Sequence, residues 1–524
     1  MRASPVAPGP PSIRLGGRDI PVILPRLGDP RLHLAGVIIA IHVLGQIGLG
    51  FRVSVPQILS AILTCAVIEV VVAFRRRGQL VWPASAMLTG SGVALILRVV
   101  GTERGDHWTW DGWHVFALVA GLSLATKYWI RYRGGPVFNP SNIGLVVAFL
   151  VLGSRRVEPL DFWWAPLEGW MVVAYLIVLI GGLLITRRLG LLVMAAVFWV
   201  VLGAGLGLLS SNGHCMTAAW ALGPVCDGHF WWIVMSSPEV LIFLFFMITD
   251  PKTIPRDNAG RIVFAIGIAI VSTLLMAPQV TEFGAKVGLL AGLVVMSPLR
   301  PFFDRVFGPG HAWQRLTTAP TAAPRRVFTR GVALGAAAIC LAAAILVAGI
   351  PARESAQAAV DAPAPEVAVA VDATALPEVT VDGGVGDLNT GIGVAEGGAL
   401  ALALAENLAL EGEARLRSDP SLLRAADHGA RLITMERRIE EDAVARRRVV
   451  EQFTFDSLRL RAVFGDDTQL GPSLAFDASG TVERIISDEA GSEMSREQSG
   501  FASTFVLNRA TGDRWLIVDE IEQS

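Results

Sequence analysis

Between residues 34 and 350 the chain returns repeatedly to apolar runs as long as a bilayer is thick, and no other feature constrains its fold more. A helix needs about 20 mostly apolar residues to cross the hydrocarbon core. Eleven stretches approach that length, at 34–51, 54–74, 80–98, 112–130, 138–153, 167–186, 189–209, 230–249, 262–277, 283–297 and 331–350, the fifth and tenth being short. Backbone polar groups in lipid must be satisfied within the segment, so these runs predict an all-α polytopic membrane protein. Composition agrees: 52% hydrophobic and 17% charged residues, with a mean hydropathy of +0.53, exclude a single soluble enzyme and dominant disorder.

The net charge of −2 conceals a division. Residues 1–350 carry 28 basic and 15 acidic side chains, whereas residues 351–524 carry 16 and 31. Spans separate the basic residues before position 331 unequally: 22 fall on one side and six (Arg52, Arg98, Arg104, Arg155, Arg156, Lys286) on the other. The positive-inside rule then puts the N-terminus in the cytoplasm of a bacterial plasma (inner) membrane, and eleven spans put residues 351–524 outside. Trp108, Trp110, Trp113, Trp163, Trp164, Trp170, Trp220, Trp231 and Trp232 fall at expected outer boundaries, as an aromatic belt does. Cys215 and Cys226 share one outer loop, where they form a disulfide or remain two free thiols. The Pro/Gly-rich residues 1–31 lack an apolar core and are expected to be a cytoplasmic arm rather than a cleaved signal. Only Lys127, Lys252 and Lys286 among the 44 basic residues are lysine, a bias that reads as genome composition.

Charges within hydrocarbon are costly, so each asks for a role. Glu69 in the second span either reaches back to Arg75–Arg77 or serves an ion pathway. Glu239 and Asp250 in the eighth span are eleven residues apart and are expected to share a helix face about 16 Å apart. The third span opens on Trp82-Pro83-Ala84-Ser85 and the eighth on Ser236-Ser237-Pro238. Pro-interrupted spans in matching places of two successive sets of five point to a central site between inverted repeats. Asn139-Pro140 introduces the fifth span and Asp250-Pro251 follows the eighth. Glu69, Ser85, Thr89, Asn139, Asn142 and Asp250 are therefore expected to form a polar vestibule in the cytoplasmic half. No CxxC pair or Cys/His cluster suggests a metal site, and haem is not expected with only His42 well inside a span.

Three segments carry a resemblance: SAMLTGSGVAL (85–95), GGPVFNPSNIG (134–144) and SPEVLIFLFFMITDPKTIP (237–255). They resemble the NqrB/RnfD family, the polytopic subunits of sodium-pumping NADH:quinone reductase and of the Rnf electron-transport complex. The resemblance covers residues 32–300 and implies ten spans in two inverted five-helix repeats, with the eleventh span (331–350) added after a cytoplasmic loop at 301–330. It also implies other membrane-complex subunits as partners, and flavin, as FMN or riboflavin, coupled to cation movement. Ser85, Thr89, Asn139, Asn142, Thr249 and Asp250 are the expected flavin contacts, and Glu69, Glu239 and Asp250 the expected ion contacts. The S/T-G-A-T motif that carries covalent FMN in the family is absent, so a non-covalent flavin is expected. GSRRVEPLDFWW (153–164) and the C-terminal extension resemble an UnbU-type branch associated with enediyne biosynthesis.

Residues 351–390 read as a linker and 391–524 as an extracytoplasmic α+β domain. A helical pattern over 396–448, broken near Asp419-Pro420, precedes alternating runs at 449–463, 470–476, 481–487, 501–508 and 514–521. Asp477-Ala478-Ser479-Gly480 is expected to be a turn, and with Gly512-Asp513 before the last strand the order resembles an NTF2-like cone. The acidic domain suits a protein partner outside the membrane, and nothing points to nucleic acid. The expected function is a flavin-bearing electron-transfer subunit linked to Na⁺ or H⁺ movement. A solute or ion transporter, or a biosynthesis-associated scaffold on the same fold, is the alternative.

Overall fold

Each apolar stretch coincides with a helix or a helix pair in the computed structural model, which describes residues 11–15, 18–26, 28–102, 105–154, 156–160, 169–216, 225–307, 324–353, 362–382, 385, 394–463, 473–488, 490–510 and 514–522. The expectations on Arg104, Arg155, Trp163, Trp164, Trp220 and Gly512-Asp513, with much of the 301–330 loop and the 351–390 linker, lie outside the described residues. The helices are α1 (Pro30–Leu44), α2 (Val55–Arg77), α3 (Ala84–Ile96), α4 (Trp113–Trp129), α5 (Pro140–Leu152), α6 (Trp170–Leu189), α7 (Leu192–Ser210), α8 (Asp227–Met235), α9 (Pro238–Ile242), α10 (Asn258–Met276), α11 (Glu282–Met296), α12 (Arg300–Val306) and α13 (Pro324–Ala348). Among the described residues seven helices are long and apolar enough to cross a membrane, and α8 with α9 passes the same test as a pair bent by 43°. The best case for lipid is α2, whose apolar window has a mean hydropathy of 2.2 with only 28% of it buried. Water would not tolerate that outward face.

Local chemistry sets where the helices begin. Asp29, Asn139 and Ser237 each precede a proline and cap α1, α5 and α9, their side chains accepting from the backbone N–H of Arg31, Asn142 and Val240. Proline then occupies the first helical position, where its missing N–H costs nothing. Ser54 and Gln57 form a reciprocal capping box on α2. The eighth apolar stretch departs from expectation. It breaks at Ser236-Ser237, restarts as α9 and runs into a π-helical turn over Phe243–Ile248, which leaves Asp250 beyond the helix end. The wider π turn shifts the register, so the α-helical face assigned to Glu239 and Asp250 does not hold.

The chain divides into two compact units. The second comprises His214–Cys226, Val280–Glu282 and Ile350–Ser524. Cys215 and Cys226 form a disulfide there, between two short antiparallel strands. Its larger part holds helices α14 (Val394–Arg417) and α15 (Gly429–Val444) and five strands: β1 (Val379–Val381), β2 (Arg447–Val463), β3 (Ser473–Asp488), β4 (Glu493–Ala510) and β5 (Arg514–Glu522). The sheet order follows the sequence, with β1 parallel to β2 and the rest an antiparallel meander. Leu404, Leu408 and Leu400 of α14 pack with Leu460, Phe476 and Phe505 of the sheet in one buried cluster.

Two expectations are corrected. The linker is structured at Val379–Val381, which pairs with Leu458–Leu460 because its alternating valines complete the sheet edge. The supposed turn at 477–480 lies inside one continuous strand, β3. Gly480 serves close approach instead: a Cβ there would stand 2.0 Å from the Thr454 carbonyl oxygen, beside a bulge between Phe455 and Ser457. Gly480→Val is expected to cost about 1–3 kcal/mol. Hydrogen-exchange protection of β3 and β4 in the whole chain should fall, and unchanged protection would contradict that role.

Candidate functional site

The three segments that carry the family resemblance converge on one cavity of about 470 Å³. It opens at the end of the bundle where α1, α3 and α5 begin and α9 terminates. Ser85, Thr89 and Gly92 of α3 line it, as do Asn139, Pro140 and Ser141 at the start of α5, and Phe245, Phe246, Thr249, Asp250 and Lys252 after α9. The α1 start adds Asp29, Arg31, Leu34 and Ile38. Along α3 the lining extends from Ser85 to Ile96, about 16 Å of helix rise. This is a small-molecule volume, apolar along its length with a few polar groups near one end.

Capping residues shape the polar end. Asn139 accepts from the Ser141 hydroxyl at 2.9 Å and donates to the Met247 carbonyl at 3.4 Å, tying α5 to the turn after α9. Lys252 N–H donates to the Asp250 carboxylate at 3.1 Å. Arg300 clasps this wall from behind, donating to the carbonyls of Lys252 at 2.5 Å and Pro136 at 3.4 Å. Burial raises the Asp250 carboxyl above its ordinary range; it lowers the Lys252 ammonium, with nearby Lys127 adding to the effect. The Arg31 side-chain hydrogen bond holds Asp29 near a pKa of about 2.

The expected residues are distributed unevenly. Ser85, Thr89, Asn139, Thr249 and Asp250 all line the cavity. Asn142 does not; it is buried and donates to the Leu290 carbonyl at 3.0 Å. Glu239 is fully buried in α9 and is also absent from the lining. Glu69 turns to α4 rather than to Arg75–Arg77, accepting from Lys127 Nζ at 2.8 Å and from the Tyr128 hydroxyl at 2.5 Å. Lys127 itself lines the cavity and reaches Ser85 at 3.4 Å.

Sequence reasoning missed the cationic lining of Arg31, Lys127 and Lys252. A signal was present, because two of the chain's three lysines stand at this one cavity while arginine serves elsewhere. The cations are not in excess: Arg31 pairs with Asp29 at 2.5 Å and Lys127 with Glu69 at 2.8 Å, while Asp250 lies beside Lys252. A balanced lining suits a ligand with a polar, largely uncharged ring system.

No family model matches the chain. It is similar to an RnfD protein of Stutzerimonas stutzeri, a component of that organism's ion-translocating oxidoreductase complex, with 26% identity over 230 residues. The match covers 40% of this chain and 54% of that protein, so the chain spans about half the length of the curated relative it matches. The similarity supports the RnfD family, and together with the apolar helices it marks a multi-pass membrane protein.

Proposed function

We propose that the protein is an RnfD-like membrane subunit of an electron-transport complex, holding a flavin non-covalently in the cavity between α1, α3, α5 and α9. The convergence of the three resembling segments on that cavity is the observation that carries this reading. Phe245 and Phe246 offer apolar surface to a planar ring, while Ser85, Thr89, Asn139 and Asp250 offer hydrogen bonds to its polar edge. No S/T-G-A-T threonine is available for a phosphoester, so retention rests on these contacts. Bound flavin would supply electron transfer, and the protein's contribution is to orient it, exclude water and balance charge.

The basic cluster Arg75–Arg77 and the residues Arg131, Arg133, Arg187 and Arg188 favour a cytoplasmic cavity mouth under the positive-inside rule. The three segments of the second unit then share the outer side, where the Cys215–Cys226 disulfide is at home. In this reading the acidic domain, an NTF2-like cone, docks an extracytoplasmic protein, and the whole is a divergent UnbU-like member coupling electron flow to Na⁺ or H⁺. A transporter that keeps the fold without redox chemistry is the second reading, favoured by two proline-started helices, α5 and α9, facing one cavity.

Riboflavin and FMN titrated into the purified full chain in detergent separate these readings. Saturable quenching of flavin fluorescence at one flavin per chain is expected. Fluorescence that falls only in proportion to dilution would exclude the flavin reading and favour transport.

A further inference from the structure

Lys127 stands between two claimants. Its ammonium donates to Glu69 at 2.8 Å and to the Ser85 hydroxyl at 3.4 Å, and it lies 5.7 Å from the centre of the Tyr128 ring. Glu69 is outside the cavity lining; Ser85 is within it. Tyr128 donates to the same Glu69 oxygen as Lys127, and the Arg76 guanidinium sits 5.7 Å over the outer part of that tyrosine ring. A carboxylate, a phenol and a hydroxyl thus surround one side-chain cation. Oxygen donors of that kind are what a small hard cation takes.

We propose that Lys127 is a built-in counter-cation occupying a monovalent-cation site at Glu69, and that negative charge in the cavity draws it off. The inference rests on the cavity reading above and adds the device that links the occupant's charge to ion uptake. An anionic group entering the cavity competes with Glu69 for one ammonium. Movement of Lys127 toward Ser85 leaves the Glu69 carboxylate uncompensated in a partly desolvated position, which is costly unless a cation or proton replaces the lysine. One negative charge in the cavity is then matched by one positive charge taken up at Glu69, and the local sum of charge is unchanged.

The arrangement explains the choice of residue. Lysine carries a compact charge on a flexible stem and moves between partners, whereas an arginine fork would bind the carboxylate bidentately and hold it. In a chain whose basic residues are otherwise almost all arginine, lysine at this position fits a cation that must let go.

Equilibrium dialysis of radioactive sodium against the purified full chain in detergent tests the proposal. Lys127→Met and Lys127→Gln should each gain a sodium site about tenfold tighter than any in the wild type. The added change Glu69→Gln should remove that site, and Lys127→Arg should not create it. Folding of each variant is checked by thermal melting, and folded Lys127→Met and Lys127→Gln proteins that bind no more sodium than the wild type would overturn the proposal. The wild type provides a second arm needing no variant: FMN, with its charged phosphate, should raise sodium occupancy, whereas uncharged riboflavin should not. Bound FMN that leaves occupancy unchanged would overturn the link to the cavity. Flavin binding is read separately by fluorescence, so failure of the flavin reading shows as unquenched flavin while the sodium gain of Lys127→Met stands alone.

Discussion

Arg431→Met is expected to destabilise the C-terminal domain by about 3–5 kcal/mol, the largest single effect on its stability. Arg431 of α15 is buried and binds Glu411 of α14 bidentately, at 2.8 and 2.7 Å, while its other terminal nitrogen donates to Glu520 of β5. Methionine fills a similar volume but leaves Glu411 and Asp427 buried without their cation. Domain unfolding in the whole chain, followed by hydrogen exchange of α14 and α15, measures the loss. Protection within a few tenths of a kcal/mol of the wild type would show that the network is not structural.

The same cluster predicts a pH dependence. Burial pushes the Asp427 carboxyl well above its ordinary 3.8, and the adjacent Glu411 adds to the shift against the pull of Arg431. In the window above 3.8 the unfolded chain has released this proton while the fold retains it, so this contribution to stability falls as pH rises. Glu451 acts with the opposite sign. Burial raises its pKa, but Arg415, Arg484 and Arg438 outweigh that and hold it below 4.5, so its contribution is lost as pH falls through that lowered value. Asp427→Asn cannot ionise and should remove the falling limb, giving a domain more stable than the wild type at neutral pH. A neutral-pH stability equal to or below the wild type would contradict a protonated Asp427.

Thr89→Trp is expected to reduce flavin affinity about a hundredfold or more, because it places a large ring in the cavity from the rigid α3 backbone. The helix should survive, since Thr89 faces open volume rather than a packed neighbour. Titration of flavin fluorescence against wild type and variant checks it, and equal affinities would place the flavin elsewhere.

Much of the membrane fold was legible, because a spanning helix is a local property of twenty residues. The Asp29-Pro30, Asn139-Pro140 and Ser237-Pro238 pairs even marked helix starts through a side-chain acceptor followed by a residue that needs no acceptor. What was not legible was non-local. Glu69 and Lys127 are 58 positions apart, and no periodicity reveals that α2 and α4 bring them within 2.8 Å. The π turn after α9 leaves no apolar signature, so an α-helical reading gives Glu239 and Asp250 one face they do not share. Gly480 carries the residue type of a turn and the duty of a crowded strand, and only the Thr454 carbonyl distinguishes them. Lys127 and Lys252 are hidden by composition, because their scarcity shows across the chain rather than at one site.

The central claim is a flavin held without a covalent bond in the cavity between α1, α3, α5 and α9. Purified full chain, washed in detergent and then precipitated with acid, tests it most directly by the flavin content of pellet and supernatant. The account predicts a flavin absorbance band that persists through the washes and passes wholly into the acid supernatant, and that is lost from Thr89→Trp. Colourless wild-type protein, or flavin that stays with the acid pellet, would contradict it.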